Sequence, residues 1–256
     1  METHHPLASL RPQWHTSMQV AVMDAMTDSP TSFAPTDIRG PRLQGVYDAL
    51  RAAVLSGEIR PGEGISETRV AARYGVSRTP VREAFRRLAD EGFLRIVPQV
   101  GTFVAPIQLS AVSDSQFIRE TLECRTVRLA AERAEAADVA SLTGLLDRHR
   151  AVMLPDRHAE FFALDEATHA ELARIAGRPA VWDLLVAVKA QLDRVRFLSL
   201  HGEGWAAKIV SEHQSIVDRV AARDPDGAEE AMRSHLRTVF AAVDEIARTN
   251  SHFFET

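Results

Sequence analysis

The sequence holds a single cysteine, Cys124, among 256 residues. That excludes an intramolecular disulfide framework and suits a reducing compartment. Nor is there a stretch approaching the ~18 uncharged apolar residues of a membrane helix. The best run, Ala180 to Leu192, is interrupted by Asp183 and Lys189. The chain starts Met-Glu-Thr-His-His, with no basic segment leading into an apolar one, so no signal peptide and a cytoplasmic setting are expected. Internal repeats and low-complexity tracts are missing beyond a richness in alanine. What is present is ordinary for a globular chain. The 45% apolar and 25% charged fractions exclude disorder or a collagen-like fibre for most of the length. At about 100–200 residues per domain, two folded domains are expected.

Charge is spread unevenly. Residues 1–40 carry two basic and four acidic residues, residues 41–106 ten arginines against seven acids, and residues 107–256 eighteen basic and twenty-four acidic residues. A basic block beside an acidic one points to a polyanion as partner for the first block only. Lysine is absent from that block. Arginine is the side chain that pairs bidentately with phosphate and guanine.

Residues 1–40 read as a flexible tail, with Pro6, Pro12, Pro30 and Pro35 set among Ser, Thr and Asp and no sustained period. The apolar stretch Met18 to Met26 is too short and interrupted for a core helix. From Arg42 the pattern sharpens into residues 41–106. Val46, Leu50, Ala53 and Val54 recur at helical spacing up to Gly57. Pro61-Gly62 marks a turn. Ser66 can cap a second helix carrying Val70, Ala71 and Tyr74, stopped at Gly75. Ser77 or Thr79 can cap a third, with Pro80 tolerated in its first turn and Val81, Ala84, Phe85 and Leu88 as the buried stripe. Phe93 to Val97 and Thr102 to Ala105 read as two short strands around Pro98-Gln99-Val100-Gly101, with Gly101 permitting a tight tip. Three helices followed by a hairpin is the order of a winged helix-turn-helix.

The third helix has a second face. Arg78, Arg82 and Arg86 lie four apart, away from the buried stripe. Arg78 and Arg82 stand near the amino end, where free N–H groups and the helix dipole also favour phosphate. This suits a recognition helix in a major groove; the plain alternative is a solvated arginine face.

These residues resemble the DNA-binding domain of the GntR family of bacterial transcription regulators. The likeness runs through Gly57-Glu58-Ile59-Arg60-Pro61-Gly62, Ser66-Glu67, Tyr74-Gly75-Val76, the specific string Ser77-Arg78-Thr79-Pro80-Val81-Arg82-Glu83-Ala84, then Leu88, Glu91-Gly92-Phe93 and Gly101-Thr102-Phe103-Val104. The resemblance implies a winged helix, a homodimer and an inverted-repeat operator in double-stranded DNA. It implies major-groove contacts from Arg78 and Arg82, flanked by Ser77 and Thr79, and a wing tip at Gly101 entering the minor groove. Some members carry Arg directly after the residue matched by Glu67. Here Thr68 stands there and Arg69 follows, so the contact from helix two moves to Arg69 by one place.

Residues 107–256 are expected to be an all-α bundle. Six helices are predicted at roughly 111–137, 138–153, 157–176, 179–199, 205–223 and 226–249. Four polar residues break the apolar stripes of these helices. Asp165 and His169 are four apart and share a face with Phe161, Thr168, Leu172 and Ala176. His213 sits among Ile209, Ile216, Val217 and Val220, and His235 among Ala231, Met232, Val239 and Val243. A buried unpaired carboxylate or imidazole is costly. A divalent metal held by all four satisfies them together, with Zn suited to such N/O ligation and Ni, Mn or Fe as alternatives. Separately hydrogen-bonded core residues are the plainer reading, and His149, beside Leu145 and Leu146, is taken as one of those.

The bundle behind a GntR head, with Asp and His four apart on its third helix and two later His separated by 22 positions, resembles the FCD ligand-sensing domain of the FadR/VanR branch. Six helices rather than seven is similar to the VanR-type subgroup. The resemblance implies that Asp165, His169, His213 and His235 form the metal site. It also points to Arg119, in the string Arg119-Glu120-Thr121-Leu122-Glu123, as a contact for an effector carboxylate. Arg194 and Arg196 are further candidates near the same cavity, and a surface pair of Arg119 with Glu123 is the alternative for the first. Together these readings give a non-enzymatic transcription regulator whose operator affinity answers to a small carboxylate effector at the metal. The alternative is a metal-dependent hydrolase or lyase fused to a DNA-binding head. A constitutive architectural DNA binder leaves the inward Asp–His set without a purpose.

Overall fold

The computed structural model describes residues 42–255; the tail expected at 1–40, with its apolar stretch, lies outside the described residues. The described residues open with α1 (Arg42–Leu55), whose Val46, Leu50, Ala53 and Val54 are buried as their spacing requires. A two-residue strand β1 (Gly64–Ile65) precedes α2 (Glu67–Tyr74). Ser66 caps α2, its hydroxyl accepting from the Arg69 N–H, and Gly75 ends it in the left-handed region at φ +62°. Then comes α3 (Arg78–Asp90). Ser77 occupies its cap position without a side-chain bond to the backbone, and Thr79 and Pro80 lie inside the first turn, where the missing proline N–H has no intrahelical partner to lose. Val81, Ala84, Phe85 and Leu88 are almost fully buried, together with Leu50, Ile59 and Phe93. Each large side chain among them contributes about 1.5–3 kcal/mol by leaving water.

Strands β2 (Leu94–Val97) and β3 (Gly101–Val104) form the expected hairpin, in register Leu94 with Val104 and Val97 with Gly101. The sheet has three strands in the order β1-β3-β2. β1 was not expected, because two residues are too few to show alternation. The tip also differs from expectation. The turn runs Val97 to Val100, closed by the Val100 N–H to the Val97 carbonyl at 3.1 Å, with Pro98 and Gln99 at its centre. Gln99 holds φ +62°, the conformation a type II turn demands at its second central position. Gly101 is therefore not the tip but the first residue of β3.

The helical part comprises α4 (Leu109–Arg133), α5 (Ala136–Ala151), α6 (His158–Ile175), α7 (Pro179–Val188), α8 (Ala190–Ser199), α9 (Trp205–Ala221) and α10 (Pro225–Thr249). The helix expected over 179–199 is thus two helices, broken at Lys189. At the break, Ser115 Oγ of α4 lies 2.8 Å from the Val188 carbonyl and 2.6 Å from the Ala111 carbonyl of its own helix, and the Lys189 ammonium is fully buried against Asp193. With seven α-helices after β3 among the described residues, the count that suggested a VanR-type subgroup is not met.

Helix α4 runs through the bundle, burying Val127, Ala130 and Ala131 against Leu142 and Leu146 of α5, Phe161 and Leu172 of α6, Val217 of α9 and Met232 of α10. After α10, a short 3-10 turn at Ser251–Phe253 brings the chain back to the segment that joins β3 to α4. The Ile107 N–H donates to the Phe253 carbonyl at 2.7 Å, and the Glu255 N–H to the Ile107 carbonyl at 3.0 Å.

Candidate functional site

Two faces carry chemistry. On α3, Arg78 and Arg82 are well exposed and share one carboxylate. Arg78 Nη2 lies 3.0 Å and Arg82 Nη2 3.4 Å from Glu67 Oε2. Glu67, in the first turn of α2, holds two long side chains in parallel off the same helix face. Burial acts to raise its pKa, and the two guanidiniums reverse that and lower it. Ser77, Thr79 and Arg69 are exposed beside them, as is Gly101 on the hairpin. All six residues expected to meet DNA are therefore at the surface. Glu67 as the brace for the two arginines was not read from the sequence, since nothing in spacing ties position 67 to 78 and 82.

The second site lies inside the bundle. Asp165 and His169 come from α6, His213 from α9 and His235 from α10; all four are buried, and their potential ligand atoms lie within 4.8 Å of one another. Three helices thus converge residues that the sequence could place only on separate stripes. His235 Nε2 is 3.3 Å from His213 Nε2 and 3.3 Å from His169 Nε2. Asp165 Oδ1 is 3.5 Å from His213 Nε2.

The outer nitrogens decide what those inner ones are. His235 Nδ1 is 2.9 Å from Glu212 Oε2, whose other oxygen accepts from Thr238 Oγ1 at 2.7 Å. His169 Nδ1 faces Glu123, which also takes the Arg119 guanidinium. A carboxylate only accepts, so it places the imidazole proton on Nδ1 and leaves Nε2 unprotonated, as an acceptor. Burial lowers the pKa of His235, with Glu212 opposing. Burial and then the neighbouring imidazole of His235 push His213 well below its ordinary value. Imidazole nitrogens converging on one point, those of His235 and His169 steered by an outer carboxylate, make a donor set that suits a metal ion. Two nitrogens on one tetrahedral zinc at the usual ~2.0–2.1 Å bond length stand about 3.3 Å apart, as these do.

Asp165 completes the set as an anion. Burial alone would raise its pKa; Arg196, then the imidazoles around it, more than reverse this and hold it well below the usual carboxylate range. Glu123 is likewise held low against its burial, chiefly by Arg119 and then His169. Arg119 is therefore no surface residue: it is buried, paired with Glu123, and its Nη2 is 2.9 Å from His169 Nε2. His149, read as a core residue, is fully buried, its ring 4.0 Å from Phe161 and 5.4 Å from His213, and burial lowers its pKa.

A narrow cavity leads to this cluster. Arg119, Arg196, Asp165 and His235 line it with Phe161, Trp205, Ser199 and Thr238. Two of the three arginines expected near an effector are there. Arg194 is not: it is buried facing the other way, donating to the Ala105 carbonyl at 2.7 Å, and burial lowers its pKa to about 10, which leaves it charged at neutral pH. Neighbouring residues that sequence reasoning missed are Glu212, Glu166, Lys189 and Asp193. Each sits on a helix other than the one that carries its partner, or beside the unforeseen break.

Comparison with known proteins finds a match for each part of the chain. The profile of the bacterial regulatory proteins of the gntR family matches residues 43–104, and that of the FCD domain matches residues 114–238. The chain is 34% identical to the HTH-type transcriptional repressor RspR of Escherichia coli K12 over 88% of its own length and 97% of that protein. It is 39% identical to an HTH-type transcriptional regulator in an unstable DNA locus of Streptomyces ambofaciens, over 82% and 89% of the two chains. In fold it is similar to E. coli McbR/YncC, with a TM-score of 0.69 at 18% identity, covering 81% of this chain and 99% of that one. A gntR-type regulator from Rhodococcus sp. RHA1 gives a TM-score of 0.66 at 23% identity, covering 79% and 98%. The relatives bear the names of regulators, and the hydrolase or lyase alternative finds no support among them. No described helix is long and apolar enough to cross a membrane. The chain belongs to the GntR family of DNA-binding transcription regulators, with a gntR-type helix-turn-helix followed by an FCD domain.

Proposed function

We propose that this regulator's grip on its operator is set by a small carboxylic acid bound beside a divalent metal ion at Asp165, His169, His213 and His235. The observation that carries the reading is the meeting of three imidazole Nε2 atoms, two of them 3.3 Å from His235 Nε2, with Glu212 and Glu123 fixing the outer nitrogens. Zinc suits this N/O set, with nickel, manganese and iron as alternatives. A divalent ion there supplies positive charge and open coordination positions to an anion entering the cavity. Arg196 and Arg119 add guanidiniums on the cavity wall, and Trp205 and Phe161 offer apolar surface to the rest of the acid. Arg194 takes no part.

At the DNA face, Arg78 and Arg82 reach base edges or phosphates in a major groove, flanked by Ser77, Thr79 and Arg69, and the Pro98–Gly101 end of the hairpin approaches the minor groove. The regulator works as a homodimer on an inverted repeat. The acid shifts the operator equilibrium only by its difference in affinity for the two arrangements of the dimer.

The test is a thermal-shift screen of carboxylic acids on zinc-loaded and chelator-stripped protein. Acids that stabilise the loaded protein and not the stripped one, and that change operator affinity, are expected. Equal stabilisation in both preparations contradicts the reading.

A further inference from the structure

Helix α8 touches both working faces. Toward the DNA-binding module, Gln191 Nε2 donates to the Gly92 carbonyl, Arg194 Nη1 donates to the Ala105 carbonyl at 2.7 Å, and Asp193 Oδ2 accepts from Arg51 Nη2 of α1 at 3.3 Å. Those three partners belong to three different parts of the module: α1, the turn after α3, and the exit from β3. One helical turn further on, Arg196 and Ser199 line the cavity, and Arg196 pairs with Asp165. The two ends are joined by charge. Asp193 is fully buried and accepts from Arg196 Nη1 at 2.7 Å, Lys189 Nζ at 2.7 Å and Arg51 Nη2 at 3.3 Å. An unbroken run of ion pairs thus leads from Asp165 through Arg196 and Asp193 to Arg51.

We propose that α8 carries the state of the buried site to the DNA-binding module along this run, with Arg51 as the positioning residue at its far end. The inference rests on the reading of Asp165 as a ligand. Arg196 divides its donors among Asp165, Glu166 and Asp193. A cation on Asp165, or an anion in the cavity, changes how much of Arg196 is left for Asp193. Asp193 in turn divides its two oxygens among three cations, so a change at Arg196 alters its hold on Arg51. In a buried, weakly screened setting such redistribution is felt at full strength. The other two α8 contacts move with the helix. Two sites become coupled when one bistable element is biased by both, and α8 meets both through side-chain bonds.

The experiment is amide hydrogen exchange in the full-length protein, followed in α1 and in the Gly92–Ala105 segment. Its first arm uses chelator-stripped protein and a double-mutant cycle. Arg196→Lys, which touches nothing in the DNA-binding module, is expected to change exchange in α1 by about five-fold or more. In an Arg51→Gln background the same substitution is expected to change it hardly at all. In that background Asp193 keeps Lys189 and Arg196 as partners, so its buried charge stays paired, and Gln191→Ala, which lies off the run, serves as a control background in which the effect of Arg196→Lys is expected to persist. Additive effects of the two substitutions overturn the proposal. The second arm adds zinc. Wild type is expected to respond in α1, and Arg51→Gln to bind the same zinc without that response. Zinc bound with no response in wild-type α1, or with an equal response in Arg51→Gln, overturns it. Zinc content measured on the same samples separates the two ideas. Protein that binds no zinc refutes the metal reading, while the stripped-protein cycle still decides the relay.

Discussion

Glu212 fixes which nitrogen of His235 is free, and Glu123 does the same for His169. Removing such an outer carboxylate costs a metal site about 10–100-fold in affinity. Glu212→Ala is therefore expected to weaken zinc binding by that factor while the fold persists; competition against a chromophoric chelator measures it, and unchanged affinity contradicts the assigned role. The four inward residues were legible in the sequence, because Asp165, His169, His213 and His235 each stand where an apolar residue belongs in a helical stripe. It hid the outer ones. Glu212 and His235 lie on α9 and α10, and only the packing of those helices brings them together. Glu123 was visible as the residue four after Arg119, but its second partner, His169, lies on another helix.

At the scale of elements, α2 and its caps were readable because local chemistry decides them. Gly75 sits at φ +62° and a Cβ there meets nothing within 4 Å, so Gly75→Ala costs backbone strain alone, about 1–2 kcal/mol. Chemical denaturation is expected to show that loss with no change in the denaturant slope. Arg82 stands on the solvent face of α3, so Arg82→Ala is expected to weaken operator binding by at least about 1–3 kcal/mol while thermal stability holds. Operator binding equal to wild type in a gel-shift titration contradicts α3 as the reader. What the sequence concealed at this scale came from distant partners. The pattern over 179–199 is continuous, and the groups that meet the break at Lys189, among them Ser115 and Glu166, stand more than twenty positions away in the chain. The hairpin tip was misplaced because Gly101 drew attention from Pro98-Gln99, where an ordinary side chain takes the left-handed conformation.

The whole molecule inherits a pH dependence from its buried imidazoles. The metal-free fold holds His149, His213 and His235 below their ordinary values, all first through burial. The unfolded chain then takes up protons before the folded one does, so stability falls as pH drops below about 6.5 and goes on falling toward the depressed folded values. Each imidazole kept neutral contributes about 1.4 kcal/mol of loss per pH unit in that window. Asp165 and Glu123, held low, add a second loss below about pH 4. Denaturation of stripped protein at pH 7.5 and 5.5 is expected to show the first loss, and equal stability at the two pH values contradicts it. A bound metal opposes it, since a ligand present at 100 times its dissociation constant adds about 2.7 kcal/mol. The order of modules was legible from the basic block and the acidic one after it. Their coupling was not, because Arg51 and Asp193 are 142 positions apart and meet only in the folded chain.

Metal analysis of protein purified without a metal-binding tag addresses the buried site most directly. Wild type is expected to retain close to one divalent ion per chain, and His213→Ala with His235→Ala close to none, with a lower melting temperature than loaded wild type. Equal metal content in wild type and the double variant contradicts the account.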